Sequence, residues 1–245
     1  MEFTVFLAGY NILVRSIYPD VYDMCRDYMV SSAPDFSITI SPSDIEYERV
    51  VNIREMEVEG LPVVEYSSAY LETLAVYRKI VSVLLDKGVL LMHGAVVAVG
   101  SSAWLFTAPS GTGKTTHINL WLENIPGSYV VNGDKPLISV SSTPVVYGTP
   151  WAGKEGMNRN VGVPLSGIVF LSRGLENSIC EATMSSVLPT FIQQCYRPRD
   201  KKLLEKSLAL VSRLGKAVPL YRLSCNMDPS AAHVAYEFLS GDVHE

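Results

Sequence analysis

The sequence predicts an α/β fold: a mixed central sheet organised around one glycine-rich loop, preceded by a small β-rich N-terminal lobe. Three observations lead there. First, residues 103–107 (A-W-L-F-T) form a short apolar run suited to a buried strand, residues 108–115 (A-P-S-G-T-G-K-T) are glycine-rich, and residues 116–123 have the composition of a helix carrying Ile118, Leu120, Trp121 and Leu122. Second, residues 89–99 are another apolar run, and the tight Gly100-Ser101-Ser102 connection returns that run into the loop-bearing strand as a hairpin, giving the sheet an antiparallel pair. Third, strands and helices are interspersed along the remainder of the chain, the order from which α/β sheets are built.

Taken in order, residues 1–66 read as the lobe, with a weakly alternating strand at 3–17, a short helix at 22–30 and a strand at 36–40. Residues 67–87 give the clearest helix. Tyr70, Leu71, Leu74, Val76, Tyr77, Ile80, Val81, Leu84 and Leu85 form a wide apolar face, and Gly88 supplies a C-terminal stop. This helix opens a second domain, residues 67–245. Short strands are expected at 129–132, 137–140, 145–148 and 167–171, helices at 184–194 and 200–214, a strand at 220–223 and a closing helix near 229–239.

With 245 residues, 48% of them hydrophobic, the chain is long enough to bury one substantial core. A net charge of −5, from 20 Lys+Arg against 25 Asp+Glu, gives no footprint for a polyanionic partner, so no nucleic acid is expected. Cys25, Cys180, Cys195 and Cys225 are widely spaced, without a C-x-x-C or Cys/His cluster, and read as reduced thiols. No apolar run approaches a membrane span and no basic leader is evident, so a cytoplasmic protein without a membrane partner is expected.

The chemistry centres on residues 108–115, a Walker-A-type phosphate loop (P-loop) with Ala108 in place of the first glycine. Such a turn points successive backbone N–H groups into one concavity at a helix N-terminus, where the dipole and the unpaired donors favour a polyphosphate. Pro109, Ser110, Gly111, Thr112, Gly113, Lys114, Thr115 and Thr116 are therefore the candidate ATP-binding residues, with Lys114 reaching the β/γ-phosphates and Thr115 holding Mg²⁺. The plain alternative is a Gly/Ser surface turn ending in a solvated lysine.

Asp134 ends the apolar run V-V-N-G-D-K-P, twenty positions after Lys114, where phosphoryl transfer needs a metal-binding or base carboxylate; a turn aspartate is the alternative. His93, in an apolar strand, faces either the nucleotide and acceptor or the core. His117, inside the helix after the loop, is expected on a solvated or packing face, and His233 and His244 carry no argument. Gly148-Thr149-Pro150-Trp151-Ala152-Gly153-Lys154-Glu155-Gly156 is a second glycine-rich stretch. Lys154 and Glu155 there suit an acceptor-binding or lid loop; otherwise the stretch is an ordinary turn with Trp151 packed inward. Arg173, Arg197 and Arg199 are candidate sources of transition-state charge, although arginines in polar loops are usually solvated.

Together these motifs resemble the HPr kinase and phosphoenolpyruvate carboxykinase superfamily, specifically its HPr-kinase-like bacterial proteins, over about residues 70–235. The carriers are L-L-M-H-G-A (90–95), F-T-A-P-S-G-T-G-K-T-T-H (106–117), V-N-G-D-K-P-L-I (131–138), Y-G-T-P-W-A-G-K (147–154), V-P-L-S-G-I-V-F-L (163–171) and P-L-Y-R-L-S-C (219–225). The resemblance implies a mixed sheet around the P-loop, use of Mg²⁺ and ATP, and transfer of the γ-phosphoryl to a hydroxyl on a peptide, protein or small metabolite. It puts nucleotide phosphates on residues 110–116, metal on Thr115 and Asp134, and a site-lining role on His93. It also makes a homo-oligomer possible, since HPr kinase itself is a hexamer. One departure is Gly133, where relatives carry the first of two adjacent acidic residues, the one cast as base. Asp134 serving both roles, Glu155 or His93 substituting, and a nucleotide-binding regulator with little turnover are the three accounts this leaves open.

Overall fold

The computed structural model describes residues 1–60 and 62–241, so His244 lies outside the described residues. Contacts divide the chain into two units, Met1–Val83 and Leu84–Glu245.

In the first unit β1 (Glu2–Leu7) and β2 (Tyr10–Arg15) form an antiparallel hairpin rather than one continuous strand. After α1 (Asp20–Met24) and a 3-10 turn at Arg26–Tyr28, β3 (Phe36–Thr39) returns parallel to β2. Alternation along these strands buries Phe3, Val5 and Leu7 with Ile12, Val14 and Ile38. Two long helices follow, α2 (Pro42–Glu59) and α3 (Ser68–Asp86), so the unit is an α/β one and not the β-rich lobe expected.

α2 has no apolar stripe to reveal it, because its hydrophobic residues are scattered round the helix. It is held instead by a capping box, in which the Asp44 carboxylate accepts from the Ser41 N–H at 2.9 Å, and by ion pairs to α3: Asp44 with Lys79 at 2.7 Å, and buried Glu48 with Arg78. Buried Glu72 of α3 accepts from the Ile17 and Tyr18 N–H groups at 2.6 and 2.8 Å. These contacts tie most of α3 to the first unit, so the division falls inside this helix rather than ahead of it at 66/67.

The second unit is built on a nine-stranded mixed sheet. Its elements are β4 (Val89–Leu91), β5 (Ala95–Val99), β6 (Ser102–Thr107), α4 (Lys114–Asn124), β7 (Ser128–Asn132), β8 (Leu137–Ser139), β9 (Val145–Tyr147), β10 (Gly162–Arg173), β11 (Ser178–Glu181), α5 (Met184–Gln194), α6 (Lys201–Ala217), β12 (Leu220–Cys225) and α7 (Ser230–Gly241). The main path is β4-β8-β9-β10-β6-β5-β7, with β12 also pairing β10 and β11 pairing β12. β6 and β12 run parallel to β10, whereas β5 is antiparallel to both β6 and β7.

The period of two in the strands explains how both faces of this sheet are covered. Leu105 of β6 and Val96 of β5 face Phe191 of α5 with Leu210 and Leu214 of α6. Trp104 and Phe106 point the other way, to Ile118 and Trp121 of α4 and to Ala231 and Ala235 of α7. The expected β5–β6 hairpin forms, closing at Val99↔Ser102. The expected single strand 89–99 does not: it breaks at residues 92–94, where the His93 N–H turns to the Gln194 carbonyl at 2.7 Å and the Gly94 N–H to the Asp134 carbonyl at 2.9 Å. β11 has no counterpart in the sequence reading, and β10 begins five residues earlier than expected.

Candidate functional site

Strand register gathers the candidate residues at one end of the sheet. β5 pairs Ala95 with Phe106 and Val96 with Asn132, so the start of β5 lies between the C-terminal ends of β6 and β7. The glycine-rich loop leaves β6, residues 92–94 enter β5, and residues 133–135 leave β7. β10, parallel to β6, brings Arg173 to the same end.

The loop makes a sharp reversal into α4. Gly113 sits at the helix N-terminus with φ 117°, a conformation that a Cβ would strain, and contributes no side chain to cap the helix. The first-turn amides of α4 are thus left for an external acceptor. Lys114 arches back over the loop, its Nζ donating to the carbonyls of Ala108 at 2.8 Å and Pro109 at 3.4 Å. Burial holds the Lys114 ammonium below its ordinary pKa, against the opposing charge of Asp134. Ser110 and Thr116 are exposed and Thr115 is half-buried. Arg173 is committed to the loop itself, donating to the carbonyls of Gly111 at 2.5 Å and Thr112 at 3.2 Å, so it is not the loose cation the sequence allows.

Asp134 projects from a turn with a built support. Asn132, fully buried at the end of β7, accepts from the N–H groups of Asp134 and Lys135 at 2.9 and 2.8 Å and donates to the Thr149 carbonyl at 2.9 Å. Thr149, also buried, donates its hydroxyl to the Lys135 carbonyl at 2.9 Å. Asp134 Oδ1 lies 2.9 Å from His93 Nε2, and His93 Nδ1 is 2.9 Å from the side-chain oxygen of Gln194, a buried residue at the end of α5. Burial opposes ionisation of Asp134, but the His93 hydrogen bond and the charges of Lys135, His93 and Lys114 outweigh it and hold the carboxyl below the usual range. His93 is therefore neither a core histidine nor part of a strand; it joins Asp134 to α5.

The second glycine-rich stretch also reaches this point. Trp151 is buried, which fits an inward-packed turn, and the chain then folds over β7's end: the Gly133 N–H donates to the Met157 carbonyl at 2.9 Å. A Cβ on Gly133 would stand 3.0 Å from the Ala152 carbonyl oxygen and 3.4 Å from that of Met157, and one on Gly153 would stand 3.1 Å from Asp134 Cβ. Lys154 and Glu155 follow as exposed turn residues. The structure thus brings His93, Lys114 and Asp134 together and leaves Lys154 and Glu155 on the exposed turn beside them.

His117 is buried at 2% exposure, neither solvated nor part of this cluster. Trp121 Nε1 donates to its Nε2 at 3.0 Å, and burial lowers its pKa to about 4.

Asn132, Thr149 and Gln194 went unassigned in the sequence. Asn132 has a signal, since N-G-D-K is favourable Asx-turn chemistry; Gln194, 101 positions from its partner His93, has none.

Among the described residues no group of three or more His, Cys, Asp or Glu side chains gathers to hold a metal. Mg²⁺ in phosphate chemistry takes one or two protein ligands and completes its shell with phosphate and water, so a hydroxyl and a carboxylate, such as those of Thr115 and Asp134, would hold it only alongside a polyphosphate. No family model matches the chain, and no curated protein matches it significantly. Among the described residues no helix is long and apolar enough to cross a membrane.

Proposed function

We propose that the chain is a cytoplasmic Mg²⁺·ATP-dependent kinase, similar in fold and chemistry to HPr kinase, that transfers the γ-phosphoryl to a hydroxyl of a peptide, protein or small metabolite. The observation that carries this reading is the convergence of the uncapped, glycine-rich N-terminus of α4, Lys114 and a His93-bound Asp134 at one sheet end. The motif resemblance over residues 70–235 supports it as well, through the same His93, Lys114 and Asp134.

In this reading the amides of residues 110–116 and the Lys114 ammonium hold the β/γ-phosphates, Lys114 exchanging loop carbonyls for phosphate oxygens. Thr115 and Asp134 would hold Mg²⁺, which would supply positive charge against the developing phosphate charge. The acceptor oxygen attacks the γ-phosphorus in line, the bond from the γ-phosphorus to its bridging oxygen breaks, ADP departs, and the hydroxyl proton passes to the Asp134–His93 pair. Gln194 fixes the imidazole plane, and Lys154 and Glu155 line the acceptor side. Because the transfer is largely dissociative, one carboxylate shared between metal and proton is compatible with turnover.

A second reading, a nucleotide-binding regulator with little turnover, is favoured by Gly133. The direction in which a first carboxylate would project is filled by the carbonyls of Ala152 and Met157. A single-turnover assay with γ-labelled ATP and cell extract separates the two. The kinase reading expects labelled product, reduced at least a hundredfold in Asp134→Asn while nucleotide affinity changes only a few-fold. Tight nucleotide binding without labelled product would establish the regulator, and equal loss of binding and transfer in Asp134→Asn would make Asp134 structural.

A further inference from the structure

The charge of the second unit is spread unevenly. Residues 197–217, the approach to α6 and α6 itself, carry seven Lys and Arg against two Asp and Glu, in a chain whose net charge is −5. Lys201 and Lys202 occupy the first turn of α6, and no acidic residue shares that turn. Cations so placed oppose the helix dipole and weaken the helix start unless an anion faces them. Asp200, at the N-cap, is taken up by the Leu203 N–H at 2.9 Å. Arg197, Arg199, Lys201 and Lys202 are all exposed.

The same helix walls an open groove of about 310 Å³, lined by Leu85, Asp86 and Gly88 on one side and by Lys206, Ala209 and Arg213 of α6 on the other. Two pairs of hydrogen bonds set α6 antiparallel to β4. Arg213 donates to the Val140 carbonyl at 3.1 Å, and the Val140 N–H to the Gly88 carbonyl at 2.9 Å. Ser207 donates to the Tyr196 carbonyl at 2.6 Å, and the Tyr196 N–H to the Leu91 carbonyl at 2.9 Å. Positions 202, 206, 209 and 213 follow one another on one flank of the helix, so Lys202 extends the row of Lys206 and Arg213 by one turn. From Ser207 back to Lys202 the helix advances about 7 Å, and from Leu91 on to His93 the other wall also advances about 7 Å. The basic row therefore ends level with His93. Lys206 meets Asp86, but their side chains are 49% and 53% exposed, and a pair so solvated yields to another carboxylate at little cost.

We propose that this groove docks an acidic, extended segment of the phosphoryl acceptor, with carboxylates along Arg213, Lys206 and Lys202 and the accepting hydroxyl carried on towards His93 and Asp134. The inference rests on the kinase reading above and adds the class of its acceptor, an acidic peptide or protein segment and not a small metabolite. The spacing fits such a chain. Lys202 and Lys206 stand about 6 Å apart along the helix axis, close to the roughly 6.6 Å between alternate side chains on one face of an extended segment. The row from Lys202 to Arg213 spans about 17 Å, the length of five extended residues. A nucleic acid would call for positive charge beyond this one wall, and the chain as a whole is acidic.

Fluorescence anisotropy of the full chain with the labelled peptide S-G-E-G-E-G-E-G-S tests this, since a serine at either end of the acidic face serves both chain directions. Its counterpart with Lys for Glu and a short oligo(dT) are the comparison ligands. Wild type, Lys202→Glu/Lys206→Glu and Lys114→Ala are titrated, with thermal unfolding as the check on fold, calorimetry for Mg²⁺·ATP and single-turnover transfer from γ-labelled ATP to the peptide. The expected result is binding and labelling of the acidic peptide alone, its affinity weakened about tenfold or more in the double variant and again at high salt. Lys114→Ala should keep the peptide and lose ATP. Equal peptide affinity in wild type and the double variant overturns the groove. Binding of oligo(dT) as tight as that of the peptide overturns it in favour of an unselective polyanion patch. Peptide binding without label, while ATP still binds through Lys114, overturns the acceptor role and leaves the nucleotide site standing. Unchanged ATP affinity in Lys114→Ala removes the kinase reading, and the acceptor role with it, whatever the peptide does.

Discussion

His117, which closes the A-P-S-G-T-G-K-T-T-H motif, works through packing rather than through substrate. Its ring lies 4.8 Å from that of Phe106, accepts the Trp121 N–H, and has Cys225 Sγ 4.0 Å from Nδ1, all in the apolar layer between sheet and α4. With a folded pKa of about 4 and an ordinary value of 6.5, the unfolded chain binds a proton here between those limits that the folded chain does not. Stability should therefore fall as pH drops from 6.5 to 4, by up to about 3 kcal/mol from this group, and flatten below 4. Urea titrations at pH 7 and pH 4.5 check it. His117→Gln, which keeps an acceptor for Trp121, should lose about 2 kcal/mol less over that interval than wild type; identical losses would place the pH dependence elsewhere. At this scale the nearness of Lys114 to Asp134 was legible, because the two follow one another within a single loop–helix–strand passage. Gln194 was not, since a hydrogen bond to His93 across 101 residues leaves no local pattern.

Strands and helices were legible where apolar residues repeat with one period, as in α3, β6 and α6, and illegible where another force holds the element. α2 depends on the Ser41–Asp44 capping box and on Asp44 and Glu48 meeting Lys79 and Arg78, so the S-P-S-D start was its only signal and hydrophobic spacing gave none. β4 and β5 look continuous in sequence because Met92 and Gly94 are apolar or neutral; the break follows from hydrogen bonds to Gln194 and Asp134, which are tertiary. The turn after β7 carries a prediction of its own. On the kinase proposal, with the carbonyls of Ala152 and Met157 occupying the space beside Gly133, Gly133→Asp should not raise phosphoryl transfer, and should destabilise the fold by about 1–3 kcal/mol through displacement of the Ala152 carbonyl. Increased transfer at undiminished stability would show that the loop yields and that a second carboxylate at this position suffices to raise the proposed activity.

The second unit uses its mixed sheet to assemble a site from segments far apart in the chain. Parallel β6 and β10 deliver the glycine-rich loop and Arg173 to one end, while antiparallel β5, inserted between β6 and β7, starts there and so places His93 beside Asp134. A helix pair packs on each face of the sheet, α5 with α6 on one and α4 with α7 on the other. The α/β class and the β5–β6 hairpin followed from the sequence; the strand order did not, because β10 pairs β9 with its first residues and β12 with its last, and no local pattern encodes a strand shared in this way. The central claim is that the amides of residues 110–116 enclose a polyphosphate with Asp134 adjacent to it. Residue-resolved amide hydrogen exchange with and without Mg²⁺·ATP tests it most directly. The account predicts slowed exchange at residues 110–116 and 133–135, removed by Lys114→Ala; unchanged exchange at both segments under saturating nucleotide would contradict it.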